Sequence, residues 1–288
     1  MSQLVLVTGI SGFIGAHVAA SLLRAGYRVR GTVRSRAKAE RTAAALARDG
    51  LDSSALEFVE ADLTHDAGWA EAASGVDFVQ HIASPFPIRQ PRDREALTPA
   101  AREGALRVIR ASTSAQRIVM TSSMVAMMYR PNRPARVIVG EHDWTEAEWS
   151  ALSPYIVSKT RAERAAWDAM NAAGVPQRLV TVNPGFVLGP PLGAEANTSL
   201  QVIEMMLKGA YPAMPPVHFP VVDGRPPFDR GRRYAQHARH GAHPETGASR
   251  TVRQGADRRA TGLRRPYACE LRSRGAHHSR RSWRRARR

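Results

Sequence analysis

Leu4-Val5-Leu6-Val7-Thr8-Gly9-Ile10-Ser11-Gly12-Phe13-Ile14-Gly15 is the stretch whose reading decides how this chain folds. Four consecutive apolar residues predict a buried strand. Glycines then recur at every third position, and residues Ala16 to Arg24, rich in Ala and Leu, predict a helix. Strand, glycine turn and helix in that order set helix N-terminal amides where a pyrophosphate can sit. Gly9 allows the tight turn. Gly12 lets phosphates approach a backbone that has no Cβ, and Gly15 lets the helix pack close to the strand. The spacing is Gly-x-x-Gly-x-x-Gly rather than the standard Gly-x-Gly-x-x-Gly, and an ordinary tight turn would also use glycine. The flanking strand and helix favour dinucleotide binding.

Outward from this unit the same rhythm repeats. A second strand is expected over Tyr27 to Val33, followed by Arg34-Ser35-Arg36-Ala37-Lys38 and a helix over Arg36 to Arg48. In such folds the residues after the second strand meet the adenosine ribose. An acid there would accept hydrogen bonds from both ribose hydroxyls and favour NAD. Cations suit a 2′-phosphate, which a guanidinium grips bidentately. Arg34 and Lys38 therefore predict NADP over NAD, with plain solvated charges at a helix start as the alternative for Arg36 and Lys38. Further strands are expected at Leu56 to Val59, Val76 to Ile82, Arg117 to Thr121 and Arg178 to Val182. Helices are expected at Thr98 to Ser112, Ala151 to Ala173 and Asn197 to Gly209, and a loop over Met124 to Ser150. Alternating strands and helices predict an α/β fold with a doubly wound parallel sheet. No internal repeat is visible. His81 reads as a strand residue with a structural partner.

Tyr155 and Lys159 lie four apart on one expected helix and share a face. Such a pair suits hydride transfer to or from a carbonyl carbon. The carbonyl oxygen needs a proton donor during reduction, and tyrosine can supply one. A free phenol titrates near 10, and a neighbouring ammonium is expected to lower that value. The Ser122-Ser123 pair ends the fifth strand at a suitable separation. A Tyr-x-x-x-Lys pair alone is often a surface coincidence; the serines and the glycine turn make it specific. No His, Cys or Glu cluster has metal-ligand spacing, and hydride chemistry needs no metal.

Thr8-Gly9-x-x-Gly12-Phe13-Ile14-Gly15 resembles the extended short-chain dehydrogenase/reductase (NAD-dependent epimerase/dehydratase) family. Pro99-x-x-x-Glu103-Gly104-x-Leu106 and Glu141-x-Asp143-Trp144 are similar to its dihydroflavonol 4-reductase-like branch, although Trp144 could equally be plain packing. The resemblance implies a Rossmann-type sheet with a small C-terminal substrate lobe, and reduction of a small-molecule ketone or aldehyde. It implies that Asp62-Leu63 sits beside the adenine and that Ala83-Ser84-Pro85-Phe86 runs along the cofactor. Lys159 would also hold the nicotinamide ribose, and Asn183-Pro184-Gly185 with Val187 would pack on the nicotinamide. It favours Ser123 for orienting the substrate carbonyl, with Ser122 as the alternative. Sugar-nucleotide epimerases or dehydratases and 3β-hydroxysteroid dehydrogenases use the same tyrosine–lysine pair, but Arg34, Gly104 and Trp144 point away from them.

The resemblance covers about residues 1–223 and then fails. Relatives continue a Val-Val-Asp like Val221-Val222-Asp223 into Val-Arg-Asp and a helix, whereas here Gly224-Arg225-Pro226-Pro227 follows. Of the formal charge of +17, residues 223–288 supply most: 19 arginines, no lysine and five acids, against 23 basic and 20 acidic residues before them. Phe228, Val252, Leu263 and Leu271 are too few to build a core. His243-Pro244-Glu245-Thr246-Gly247 is a short echo of the family. A basic extension that binds nucleic acid would want patterned aromatics or helical periodicity, and neither occurs. Arginine without lysine is what a GC-rich message read out of frame yields, so a shift near codon 224 is the favoured reading.

The expected division is therefore a dinucleotide-binding domain over 1–190, an incomplete substrate lobe over 191–223 and an arginine-rich tail over 224–288. With the lobe incomplete, a catalytically inactive dinucleotide-binding protein is a second outcome. No specific nucleic-acid partner is expected. No run of about eighteen apolar residues occurs, so no membrane span is expected. No basic segment with a small-residue cleavage site precedes the first strand, so no secretory signal is expected either. The single cysteine, Cys269, allows no intrachain disulfide and agrees with a reducing cytoplasm.

Overall fold

The computed structural model describes residues 2–85, 90–133, 138–192, 198–210, 220–224 and 238–240. Within them the chain alternates β1 (Leu4–Thr8), α1 (Phe13–Arg24), β2 (Arg28–Val33), α2 (Arg36–Arg48), β3 (Leu56–Glu60), α3 (Trp69–Ala73), β4 (Phe78–His81), α4 (Thr98–Ala111), β5 (Arg117–Thr121), α5 (Pro154–Ala172) and β6 (Leu179–Val182). β7 (Phe186–Leu188), α6 (Thr198–Leu207), β8 (Val221–Asp223) and β9 (Ala238–His240) follow. Six parallel strands stand in the order β3-β2-β1-β4-β5-β6, and β9 adds antiparallel to β6. This is the doubly wound, Rossmann-like sheet expected from the sequence.

β1 shows why its sequence is apolar at every position. Leu4 and Leu6 face a core built with Val79, Ile118, Leu179 and the inner faces of α4 and α5. Val5 and Val7 face the other core, with Ala19 and Ala20 of α1, Val29 and Leu46. Successive strand residues point to opposite faces, so a strand covered on both sides needs an unbroken apolar run. Strand order reverses between β1 and β4, which pair from Val5 with Phe78 to Thr8 with His81. Beside them Thr121 of β5 pairs with Val182 of β6. The carboxyl ends of β1, β4, β5 and β6 thus open on one edge, where ligands bind in sheets of this kind.

Several boundaries differ from expectation for local reasons. Tyr27 closes α1 by donating to the Leu22 carbonyl, so β2 begins at Arg28. β4 is shorter than expected because the Ile82 amide turns to the Thr8 hydroxyl instead of a ladder partner. Ser153 caps α5 and Pro154 occupies its first turn, which fixes the start there rather than at Ala151. The short α3 and the β7–β8 ladder carry no periodicity long enough to be read from sequence. That ladder joins residues on either side of the expected division at 190. The tail, apart from Gly224 and Ala238–His240, lies outside the described residues, as do Phe86, Asn197, Tyr211-Pro212 and Cys269. Among the described residues no helix is long and apolar enough to cross a membrane.

Candidate active site

A cleft of about 850 Å³ follows the carboxyl edge of the sheet. Gly9, with φ of 66°, makes the turn out of β1. Its amide donates to Thr32 Oγ1 at 3.1 Å, and its carbonyl accepts from the Gly12 amide at 3.0 Å. A Cβ at Gly15 would lie 2.3 Å from the Gly9 carbonyl oxygen, so helix and turn can meet only through glycine there. α1 starts at Phe13 with Gly12 as its extended N-cap and no side-chain cap. The first-turn amides, orphaned by helix geometry, therefore open toward the cleft at Phe13, Ile14 and Gly15. This is a cradle suited to a pyrophosphate.

At one end of the cleft stand Arg34 and Lys38, with Asp62 and Leu63 beside them. Arg36 instead turns outward to Glu40, 3.2 Å away, and is not part of the site. Asp62 accepts from the amide and hydroxyl of Thr64, at 2.8 and 2.6 Å. These bonds, aided by Arg34, hold its carboxyl below the usual range. Leu63 rests on Gly104 of α4, where a Cβ would come within 2.8 Å of the leucine side chain. The glycine of the Glu103-Gly104 pattern thus lets α4 approach the cleft wall.

At the other end Ser123, Tyr155 and Lys159 converge, with Ala83, Ser84, Pro184, Gly185 and Val187 along the walls. The two candidate serines separate cleanly. Ser122 is buried and donates to Glu163 at 2.5 Å. Ser123 hydrogen-bonds Tyr155, although both serines touch the cleft. Adjacent residues leaving a strand point opposite ways, so only one can meet the tyrosine. Tyr155 differs from expectation: burial of its hydroxyl pushes it above the usual phenol value, and the Ser123 bond pulls back only in part. Lys159 donates to the Thr121 carbonyl at 3.4 Å. Burial brings its ammonium down to about 8, against the opposing pull of Glu163.

His81 is a structural residue, as its strand position suggested. Its Nδ1 is 2.9 Å from Thr8 Oγ1, which also accepts from the amides of Ile82 and Ala83 at 3.0 Å each. With two donors already on it, the hydroxyl gives its own proton to Nδ1. Burial first, and the Lys159 charge second, push the imidazole down to about 3, so it stays neutral. Trp144 packs its ring under the Arg164 guanidinium at 4.9 Å. Its neighbour Thr145 ties the segment down by donating to the Val125 carbonyl at 2.6 Å.

Of the residues nominated from sequence, Gly9, Gly12, Phe13, Ile14, Gly15, Arg34, Lys38, Asp62, Leu63, Ala83, Ser84, Ser123, Tyr155, Lys159, Pro184, Gly185 and Val187 line this one cleft. Asn183 instead sits behind the wall, donating to the Ser123 carbonyl and Glu163, and Phe86 lies outside the described residues. Sequence reasoning missed Thr8, which knots β1 to the turn after β4, and Glu163, which collects three hydrogen bonds beneath the site. Glu163 was within reach, since it stands one helical turn beyond Lys159 on the same face.

Comparison with known proteins follows the same outline. The model of the NAD dependent epimerase/dehydratase family matches residues 5–226. A cinnamoyl-CoA reductase of Medicago truncatula is 35% identical over 219 residues, covering 73% of this chain and 65% of that protein. A dihydroflavonol 4-reductase of Hordeum vulgare is 35% identical over 216 residues, covering 71% of this chain and 59% of that one. The yeast methylglyoxal/isovaleraldehyde reductase crystallised with NADPH is similar at a TM-score of 0.67 and 26% identity, over 77% of this chain and 71% of that chain. The chain thus spans less than two thirds of the length of these two curated relatives.

Proposed function

This chain belongs to the NAD dependent epimerase/dehydratase family, and from that premise we propose that it is an NADP-dependent reductase of a ketone or aldehyde. The observation that carries the proposal is one continuous cleft with Arg34 at one end and Ser123, Tyr155 and Lys159 at the other. The cleft fits the cofactor: a glycine turn and uncapped helix start suit the pyrophosphate, and two cations suit a 2′-phosphate. The similar methylglyoxal/isovaleraldehyde reductase crystallised with NADPH, and relatives named cinnamoyl-CoA reductase and dihydroflavonol 4-reductase, support the same reading.

Gly9, Gly12, Phe13, Ile14 and Gly15 hold the pyrophosphate through backbone amides. Arg34 and Lys38 take the 2′-phosphate, and Asp62 and Leu63 bound the adenine. Ala83, Ser84, Pro184, Gly185 and Val187 line the path to the nicotinamide. NADPH when bound supplies the hydride that reaches the carbonyl carbon. Ser123 orients the carbonyl by donating to its oxygen, and Tyr155 gives that oxygen a proton. A tyrosine held above its usual value is protonated at neutral pH, which suits it as the acid in the reducing direction. The Lys159 ammonium stabilises the phenolate that remains and holds the nicotinamide ribose.

The test is NADPH consumption by the full chain with a panel of aldehydes and ketones, set beside UDP-sugar turnover. Carbonyl-dependent loss of NADPH that Tyr155→Phe reduces by about 10²–10⁴-fold is expected for loss of a general acid. UDP-sugar conversion without carbonyl reduction would contradict the reading in favour of an epimerase or dehydratase.

A further inference from the structure

We infer that Glu163 is a positioning residue for Lys159, a buried carboxylate that locks the ends of β5 and β6 to α5 and supplies the lysine's counter-charge. The inference rests on the reductase reading for the use made of Lys159, but its geometry stands alone. Glu163 is fully buried. Its Oε2 accepts from Ser122 Oγ at 2.5 Å and from Asn183 Nδ2 at 2.8 Å, and its Oε1 accepts from Thr181 Oγ1 at 3.0 Å. Asn183 Nδ2 also donates to the Ser123 carbonyl at 3.1 Å. The carboxylate therefore fixes the residue before Ser123 and, through Asn183, Ser123 itself.

A buried charge is costly, and apolar side chains of similar volume would pack these strands equally well. Three neutral donors do not require a full negative charge, so the charge has another use. Lys159 is one helical turn away on the same face of α5, and the charge that raises its proton affinity against burial is Glu163's. The other groups facing Lys159 do not replace it. α5 adds Tyr155, held protonated by burial. β4 adds His81, held neutral. The carbonyl of Thr121 at the end of β5 accepts from Lys159, and the neutral Ser122, Thr181 and Asn183 are engaged by Glu163 itself. α4 pairs Arg107 with Asp66, and its Arg102 and Arg110 enter a groove on the opposite face of α5 with Arg161, Arg164 and the carboxylate of Asp168. Without Glu163, burial alone would act on an ammonium already at about 8, and Lys159 would lose its proton near neutral pH. The active site would then lack the cation that stabilises the Tyr155 phenolate.

The chain is unusually easy to test because it has three lysines, Lys38, Lys159 and Lys208. With ¹³Cε-labelled lysine, three signals report three ammonium groups, and Lys38→Arg and Lys208→Arg assign the third to Lys159. In the full-length wild-type chain the Lys159 midpoint should fall near 8. Glu163→Gln should move it down, by about one pH unit or more, as expected when a neighbouring opposite charge is lost. Should that variant fail to fold, Glu163→Leu combined with Ser122→Ala and Thr181→Val removes the charge and two of its donors together and should give the same shift. Ser122→Ala alone keeps the charge and should leave the midpoint in place. Carbonyl reduction by Glu163→Gln should lose activity at a correspondingly lower pH and recover as pH falls, whereas a structural defect would lower the rate equally at every pH. An unmoved Lys159 midpoint in the charge-free variants, or an equal shift in Ser122→Ala, would overturn the inference. The lysine titration needs no turnover, so failure of the reductase reading would show separately, as an intact Lys159 shift without NADPH consumption.

Discussion

Arg34 is exposed at one end of the cleft, and on the proposed reading the cofactor preference turns on it. A guanidinium there can bond a 2′-phosphate but gains nothing comparable from a free ribose hydroxyl. Arg34→Asp removes the cation and adds repulsion. Charged hydrogen bonds of about 1.5–3 kcal/mol translate into NADPH affinity lower by about ten- to a hundred-fold, with NADH affinity far less affected. Fluorescence titration of both cofactors measures this, and equal losses would remove Arg34 from the role. Arg34 could be read from sequence because its position after β2 is set by local chain geometry. Arg36 and Lys38 could not be separated that way. Both lie in the first turn of α2, and only the fold shows Arg36 paired with Glu40 while Lys38 lines the cleft. Ser122 and Ser123 pose the same problem, since the choice depends on which way β5 leaves the sheet relative to α5. The Tyr155 shift was misjudged for a related reason. Spacing brings an ammonium near a phenol, but burial acts more strongly on that phenol, and burial is a property of the assembled site.

The decisive element is the unit of β1, the glycine turn and α1, and its closeness is measurable. Gly15→Ala would drive a Cβ against the Gly9 carbonyl at 2.3 Å, so the helix must move or the turn must open. Overpacking of this kind costs about 1–3 kcal/mol, read as a lower urea midpoint, and should weaken NADPH binding as the cradle opens. Gly140→Ala is the control, because its Cβ would meet nothing closer than Asp143 at 3.9 Å. Equal stability in the two variants would mean that the turn tolerates a side chain. Elements of this kind were legible where the pattern is long and local, as in the apolar run of β1 and the full extent of α2 over Arg36–Arg48. They were illegible where partners far along the chain define them. β7 exists because Val221–Asp223 pairs with Phe186–Leu188, and Gly185 is needed because a Cβ there would meet the Pro220 carbonyl at 2.1 Å. Neither relation has a period that a sequence displays.

Over the whole molecule the family match ends at residue 226, close to where the arginine-rich composition begins. We read the tail as the product of a frame shift near codon 224, which would leave the substrate lobe incomplete. Translating the other two frames beyond codon 223 should then yield alternating apolar strands and amphipathic helices continuing Val221-Val222-Asp223. If neither frame does, the arginines belong to a real element. Limited proteolysis should cut within the tail first, because so sparse a set of apolar residues cannot offset ordering costs of about 1–2 kcal/mol per residue. The central claim, that the cleft reduces a carbonyl with NADPH, concerns the chain as it stands. Its most direct measurement uses NADPH deuterated at the transferring position with an aldehyde or ketone substrate, and mass spectrometry of the alcohol formed. The account predicts one deuterium at the carbinol carbon for each NADPH consumed, with product nearly abolished in Tyr155→Phe. Alcohol without deuterium, or the same yield of labelled alcohol from Tyr155→Phe, would contradict it.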